Sequence, residues 1–135
     1  MEKNGIVLLE TMVAALEGME GMGGRVSPIV DIQKSTGPLV VYDQTGESGQ
    51  DTLTDRTGLM TAKYQIHVLH SSYLKMRQLA EKTKTTLELL QGHYRSPLLI
   101  ETVSVELGSP DILEAKVQLF RRTYNVTFDY QFKEE

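Results

Sequence analysis

Met60-Thr61-Ala62-Lys63-Tyr64-Gln65-Ile66-His67-Val68 alternates apolar and polar side chains along its whole length. A strand sends successive side chains to opposite faces, so this stretch reads as a strand with one face in a core and the other wet. Directly after it, Ser71 and Ser72 offer N-cap oxygens to a helix with Met76, Leu79, Ala80, Thr83, Leu87 and Leu90 on one side. Gly92 stands where a C-terminal cap is expected. A half-buried strand running straight into an amphipathic helix points to a sheet and helices packed as layers around one core.

Upstream, Gly5 to about Glu20 carries Ile6, Leu9, Val13 and Leu16, with Met12 and Met19 beside them, at the spacing of one helix face. That helix must end in the run Gly18, Gly21, Gly23, Gly24, because glycine penalises helix and readily supplies left-handed caps. Val26–Ile32 reads as an irregular or short extended piece, and Pro38 opens a short strand, Leu39-Val40-Val41-Tyr42. Asp43 to Gly58 is rich in Gly, Thr, Asp and Gln, with Leu53 its only large apolar side chain, and predicts a loop of about sixteen residues.

Downstream of Pro97, Leu99, Val103, Val105 and Leu107 alternate on one face, and Gly108-Ser109-Pro110-Asp111 predicts a turn. The last strand runs from about Phe120 to Phe132, with Tyr124, Val126, Phe128, Tyr130 and Phe132 inward. The expected architecture is therefore a single α+β domain over residues 1–135. It has a mostly antiparallel sheet of about four strands with two helices packed on one face.

Composition narrows the function. The chain has 135 residues, 40% hydrophobic and 24% charged, an ordinary balance for a soluble domain that folds alone. With no cysteine there are no disulfides, thiolate nucleophiles or cysteine-containing zinc sites, which fits a reducing cytoplasm. The 14 Lys+Arg against 18 Asp+Glu give a net charge of −4, the wrong sign for holding nucleic acid by phosphate neutralisation. The longest apolar run, Ile6–Leu9, is far too short to span a membrane.

Residues that carry chemistry elsewhere do not assemble into a set here, so no catalytic residue, cofactor or metal is expected. His67 and His70 sit at a strand end where side chains alternate, and no Asp, Glu or Cys nearby completes a ligand set. The glycine cluster at 18–24 follows a helix, whereas a phosphate loop follows a strand and opens a helix. Gly46-Glu47-Ser48-Gly49 lacks the spacing of a nucleophile elbow. By parity Glu101 and Glu106 fall on opposite sheet faces, which disfavours a paired acid and base. Two features remain: an acidic stretch, with Asp43, Glu47, Asp51 and Asp55 against Arg56, and the pair Arg121-Arg122 opening the last strand. Neighbours on a strand face opposite ways, so at least one of these arginines is expected at the surface, paired with an acidic neighbour or a partner subunit.

The order of elements resembles the bacteriophage tail-completion family, the small tail-terminator or head-to-tail joining proteins of long-tailed phages. The resemblance covers about Gly5 to Phe132. It rests on the first helix ending in Gly24-Arg25-Val26, the strand Pro38–Tyr42 with the stretch after it, the strand-to-helix run from Tyr64, and the final Arg121–Tyr130 strand. It implies a structural, non-enzymatic protein that caps the growing tail tube as a six-subunit ring and offers its other face to the head connector. The implied partners are further copies of itself, the major tail-tube protein and a head-completion or connector protein, with DNA passing through the ring and no membrane. The implied location is the virion head–tail junction, reached from the host cytoplasm. On that reading the acidic stretch and the two arginines make tube, lumen or subunit contacts. Two other readings are a neck or stopper protein on the head side and a small α+β enzyme, the latter requiring a deep pocket that holds His67 or Glu101.

Overall fold

Helix α1 (Glu2–Glu17) leads through a glycine-rich turn into β1 (Val26–Pro28), and β2 (Leu39–Gly49) pairs antiparallel with β3 (Met60–His70). Helix α2 (Tyr73–Glu88) follows, then β4 (Tyr94–Arg95), β5 (Leu98–Glu114) and β6 (Leu119–Phe132). The computed structural model describes residues 2–28, 38–49, 59–95 and 97–132.

The strands form one six-stranded sheet in the order β1-β2-β3-β6-β5-β4. It is larger than expected and mixed, because β1 runs parallel to β2 while the other pairings are antiparallel. Val26–Pro28 pairs with Val40–Tyr42, and the Arg25 side chain donates through Nε to the Pro38 carbonyl at 2.9 Å, which ties the entry of β1 to the entry of β2. The α+β class and the two helices on one face hold. One core joins Leu8, Met12 and Leu16 of α1, Met76, Ala80 and Leu87 of α2, and the inward residues Val40, Ile66, Val68, Val126, Phe128 and Tyr130 of the sheet.

Helix α1 buries a stripe shifted from the one its spacing suggests, keeping Leu16 and the flanking Met12 but centred on Leu8 instead of Ile6. Leu8, Met12 and Leu16 are inaccessible, while Ile6 is 52% exposed and Leu9 and Val13 pack only at the margin. Residues 6–9 are apolar all round, so periodicity alone leaves the centre of the stripe undetermined and packing settles it. Gly21 and Gly24 take positive φ (+80° and +74°), reversing the chain so that Met22 enters the core. Around α2 the sequence reading holds. Ser72 Oγ accepts from the Lys75 N–H at 3.3 Å, and Gly92 has φ +84°.

Three local expectations are corrected. Asp43–Gly49 is not loop: it continues β2 opposite Gln65–Met60, its polar side chains tolerated because the backbone finds a partner ladder in β3. Residues 50–58, the rest of the expected loop, and 29–32, the end of the Val26–Ile32 piece, lie outside the described residues. Gly108–Asp111 is not a turn; β5 passes through it with irregular pairing to β6 and reverses only at residues 115–118, where Gln118 has φ +56°. Leu99 faces away from Val103, because a bulge between Ile100 and Thr102 switches the parity of β5, and Leu98 and Ile100 are the residues that enter the core.

Candidate functional site

The acidic stretch enters the structure through β2. Asp43 opposes Gln65 on the face away from the helices, whereas Glu47 opposes Ala62 on the helix-bearing face, since the register shifts between Gln44 and Gly46. Glu47 is exposed and accepts from the Tyr130 hydroxyl at 3.5 Å. Burial, with Glu47 beside it, pushes the Tyr130 phenol up to about 12; Tyr64 is likewise pushed up to about 12, by burial first and then by Tyr130 and Glu47. Neither phenol is set up as a base at neutral pH. The strand therefore separates Asp43 from Glu47, and Asp51, Asp55 and Arg56 lie outside the described residues.

Arg121 and Arg122 face opposite ways, as parity requires, and each holds an acidic residue across the β5–β6 hairpin. Arg121 Nη1 lies 2.8 Å from Glu114 Oε2. Arg122 grips Asp111 with two parallel bonds, Nε to Oδ1 at 2.8 Å and Nη2 to Oδ2 at 2.9 Å. The hydrogen bond from Arg122 holds the Asp111 carboxyl below its ordinary value, and Asp111 in turn raises Arg122. The Tyr73 hydroxyl, at the start of α2, donates to the same Oδ2 at 2.8 Å. Arg77 Nη1 donates to Tyr73 Oη at 3.3 Å and lies over its ring, which meets Phe120 edge-on at 5.4 Å. Asp111, Tyr73 and Arg77 are the members that the sequence reading missed. The available signal was Arg122 itself: it stands in the apolar phase of its strand with Tyr124 and Val126, and a guanidinium there demands a carboxylate.

The sheet face away from the helices is polar over β3, β5 and β6. Asp129 accepts from Thr61 and Thr102 at 2.7 Å each, Gln65 Nε2 donates to Asn125 at 3.4 Å, and Gln131 Nε2 donates to Glu101. Glu106 opposes Asn125 on this face as well, so Glu101 and Glu106 share a face, contrary to the parity argument. The bulge that displaced Leu99 is the cause. Between this polar field and a small apolar cluster of Val41, Leu69 and Leu119 lies His67, 6% exposed. Its Nδ1 meets Thr123 Oγ1 at 2.9 Å, and its buried Nε2 has no partner among the described residues. Burial first, and then Arg121, lowers its pKa.

Two grooves lie on the other side, along α2. One, of about 440 Å³, is lined by Met19, Glu20, Glu81, Lys82, Thr85 and Thr86. The other, of about 280 Å³, shares Glu20 and Lys82 and extends past Leu79 to His70 and Lys75. Neither is lined by His67 or Glu101. No group of three or more metal-ligating side chains occurs among the described residues. No described helix is long and apolar enough to cross a membrane.

No protein-family model matches this sequence, and no curated protein matches it. Among solved structures, a chain of the virion of a native gene transfer agent (GTA) particle is similar, at 15% identity and a TM-score of 0.42, over 90% of this chain and 84% of that one.

Proposed function

We propose that this chain is a structural phage or prophage protein that caps the tail tube, ends its elongation and joins the tail to the head connector as a six-copy ring. It performs no reaction of its own and takes no cofactor. It assembles in the host cytoplasm on the major tail-tube protein and stays at the head–tail junction, where DNA passes through the ring.

The observation that carries this reading is the polar sheet face. Its side chains bond to one another across β3, β5 and β6, as in the Thr61–Asp129–Thr102 bridge, instead of converging on a cavity. Such a face suits contact with another macromolecule or with a water-filled lumen, whereas a reactant needs a concave site with convergent polar groups. Arg121, paired with Glu114, stiffens that face from its end, and Arg122, paired with Asp111, braces the same hairpin from the helix-bearing side. The acidic stretch from Asp43 to Asp55 supplies contact or lumen charge, where a negative wall keeps DNA from sticking.

Electron microscopy of particles from a phage or prophage with an early stop codon in this gene tests the reading. Filled heads beside unattached tails, many of abnormal length, are expected. Normal infectious virions would remove the proposal, and tailless heads beside free tails of normal length would replace it with a neck or stopper role. Replacing Asp51 and Asp55 by Lys should disturb ring formation or DNA delivery; if both proceed unchanged, the role given to the acidic stretch falls.

A further inference from the structure

Strand β5 has β6 along one side, but on its other side the chain's own cover stops early. β4 pairs only with Leu98 and Leu99. The Ile100 N–H donates to the His93 carbonyl at 2.9 Å, and the Ile100 carbonyl accepts from the Gly92 N–H at 2.8 Å. The Gln91 side chain then accepts from the Val103 N–H at 3.1 Å, and there the cover ends. That last bond fixes the direction of the groups that follow. Gln91 lies on the side away from β6, so the Val103 N–H points outward, and in an antiparallel ladder outward groups recur at every second residue. From Thr102 to Leu107 the pairing with β6 runs without a shift. The N–H and C=O groups of Val105 and Leu107 therefore point out of the sheet edge, with no partner among the described residues.

Exposed edges are commonly blunted by lysine, proline or a bulge. Val103–Leu107 carries none of these, since Pro110 and the irregular pairings of β5 lie before Thr102 or beyond Leu107. Its side chains divide by face. Val103, Val105 and Leu107 oppose Phe128, Val126 and Tyr124 on the helix-bearing face, where Leu107 is 55% exposed at the rim of the core. Ser104 and Glu106 lie exposed on the other face. β5 contains Glu101, Glu106, Asp111 and Glu114 but no Lys or Arg. Asp111 and Glu114 are held by the arginines of β6 and Glu101 by Gln131, whereas Glu106 is in no ion pair among the described residues.

We propose that the edge Val103–Leu107 takes up an extended segment of another protein as an added strand, one whose side chains alternate aliphatic and basic. The backbone of Val105 and Leu107 supplies the ladder. Aliphatic side chains of the segment lie beside Val105 and Leu107 on the helix-bearing face, and a Lys or Arg meets Glu106 on the other. The chemistry of the edges favours this occupant over a second copy. The opposite edge of the sheet, β1, is only three residues long and ends in Pro28, which has no N–H to donate. Pairing β5 with β5 would set two acidic strands, each without a cation, side by side. The contact stands apart from tail capping, because it needs neither a ring nor a tube.

The test uses the full chain, isotope-labelled, and the peptide Lys-Val-Arg-Val-Lys-Val-Lys, followed by amide hydrogen exchange and by anisotropy of a fluorescent form of the peptide. Without peptide, the Ser104 and Glu106 amides face β6 and should exchange about tenfold or more slowly than those of Val105 and Leu107. Saturating peptide should slow Val105 and Leu107 by about tenfold or more and leave Ser104 and Glu106 little changed. Methylating the peptide nitrogens that face β5 removes the ladder but keeps the side chains, and should weaken binding by about tenfold or more. Glu106→Lys should lower affinity for this peptide and raise it for the version with Glu in place of Lys and Arg. Val105→Pro removes an N–H that makes no bond within the chain and should abolish binding. Far-UV circular dichroism checks that this variant folds, and the methylated peptide puts the same question to the unaltered chain. No saturable binding, equal binding of the methylated peptide, or protection confined to residues outside Val103–Leu107 overturns the proposal. Protection of Val105 and Leu107 without peptide, with a concentration-dependent mass in sedimentation, gives the edge to a second copy and overturns it as well.

Discussion

Asp43 and Glu47, four residues apart on β2, lie on opposite faces of the sheet, because one extra residue is accommodated between Gln44 and Gly46. Four residues along a regular strand return to the same face, so this irregularity divides an acidic stretch that looks continuous in sequence. Deleting Thr45 should remove the extra residue while preserving both flanking pairings, at a cost of about 1 kcal/mol or less. Deleting Gln65 from the central strand β3 shifts its pairing with both β2 and β6, and should abolish folding. Urea melts followed by circular dichroism distinguish the two; equal damage from both deletions would refute the register described.

Asp111→Asn leaves Arg122 without its charged partner in a pair whose side chains are only 14% and 15% exposed, and should cost about 2–3 kcal/mol at pH 7. The folded Asp111 carboxyl titrates below its ordinary 3.8, so its contribution is complete above that value and is lost as the pH falls through the lower folded value. The stability gap between wild type and Asn variant should therefore narrow on acidification below pH 4, as thermal melts at a series of pH values would register. A gap that widens toward acid would contradict the pairing.

His67 behaves in a related way through burial. Its folded pKa lies below the ordinary 6.5, so the neutral ring is favoured in the fold and stability is lost as the pH falls below 6.5 through the folded value. His67→Leu removes the unpartnered Nε2 and extends the apolar cluster of Val41 and Leu69. The variant should gain on the wild type more at pH 5 than at pH 8. An equal difference at both values would mean that His67 is not the group that titrates.

The stripe buried by α1 is testable by a pair of truncations. Met12→Ala should cost about 2–5 kcal/mol, since Met12 is inaccessible, whereas Ile6→Ala at a 52% exposed site should cost well under about 1 kcal/mol. Chemical denaturation of the two variants under one condition is sufficient. A larger loss at Ile6 would return the helix to the face that its spacing suggested.

The sequence discloses those elements where one periodicity dominates. Met60–Val68, the α2 stripe and the Phe120–Phe132 alternation lie as read, because each has a polar face that excludes the alternatives. It conceals what depends on a partner elsewhere in the chain. Asp43–Gly49 is strand only because β3 continues opposite it, and Gly108–Asp111 stays in β5 because Arg122 and Tyr73 hold Asp111 there. The faces of Glu101 and Glu106 were misread for a related reason: a single bulge inverts every parity argument that crosses it. Of the candidate residues, the two arginines were legible by parity, while their acidic partners became visible only once the hairpin was folded.

The centre of the sheet is made by β3 and β6, joined along Met60–His70 and Phe120–Tyr130. Their partners are about sixty residues apart in the chain, so the middle ladder is the most non-local strand pairing among the described residues and carries the largest loop-closure cost of the strand pairs. Synthesis runs from the N-terminus, and β6 is made after the other five described strands. Until it arrives, β3 presents one open backbone edge with an apolar face, so the nascent sheet is least protected while β6 is still to come. Loss of the final strand to a premature stop would divide the sheet at its middle, leaving β1–β3 and β4–β5 with no strand between them.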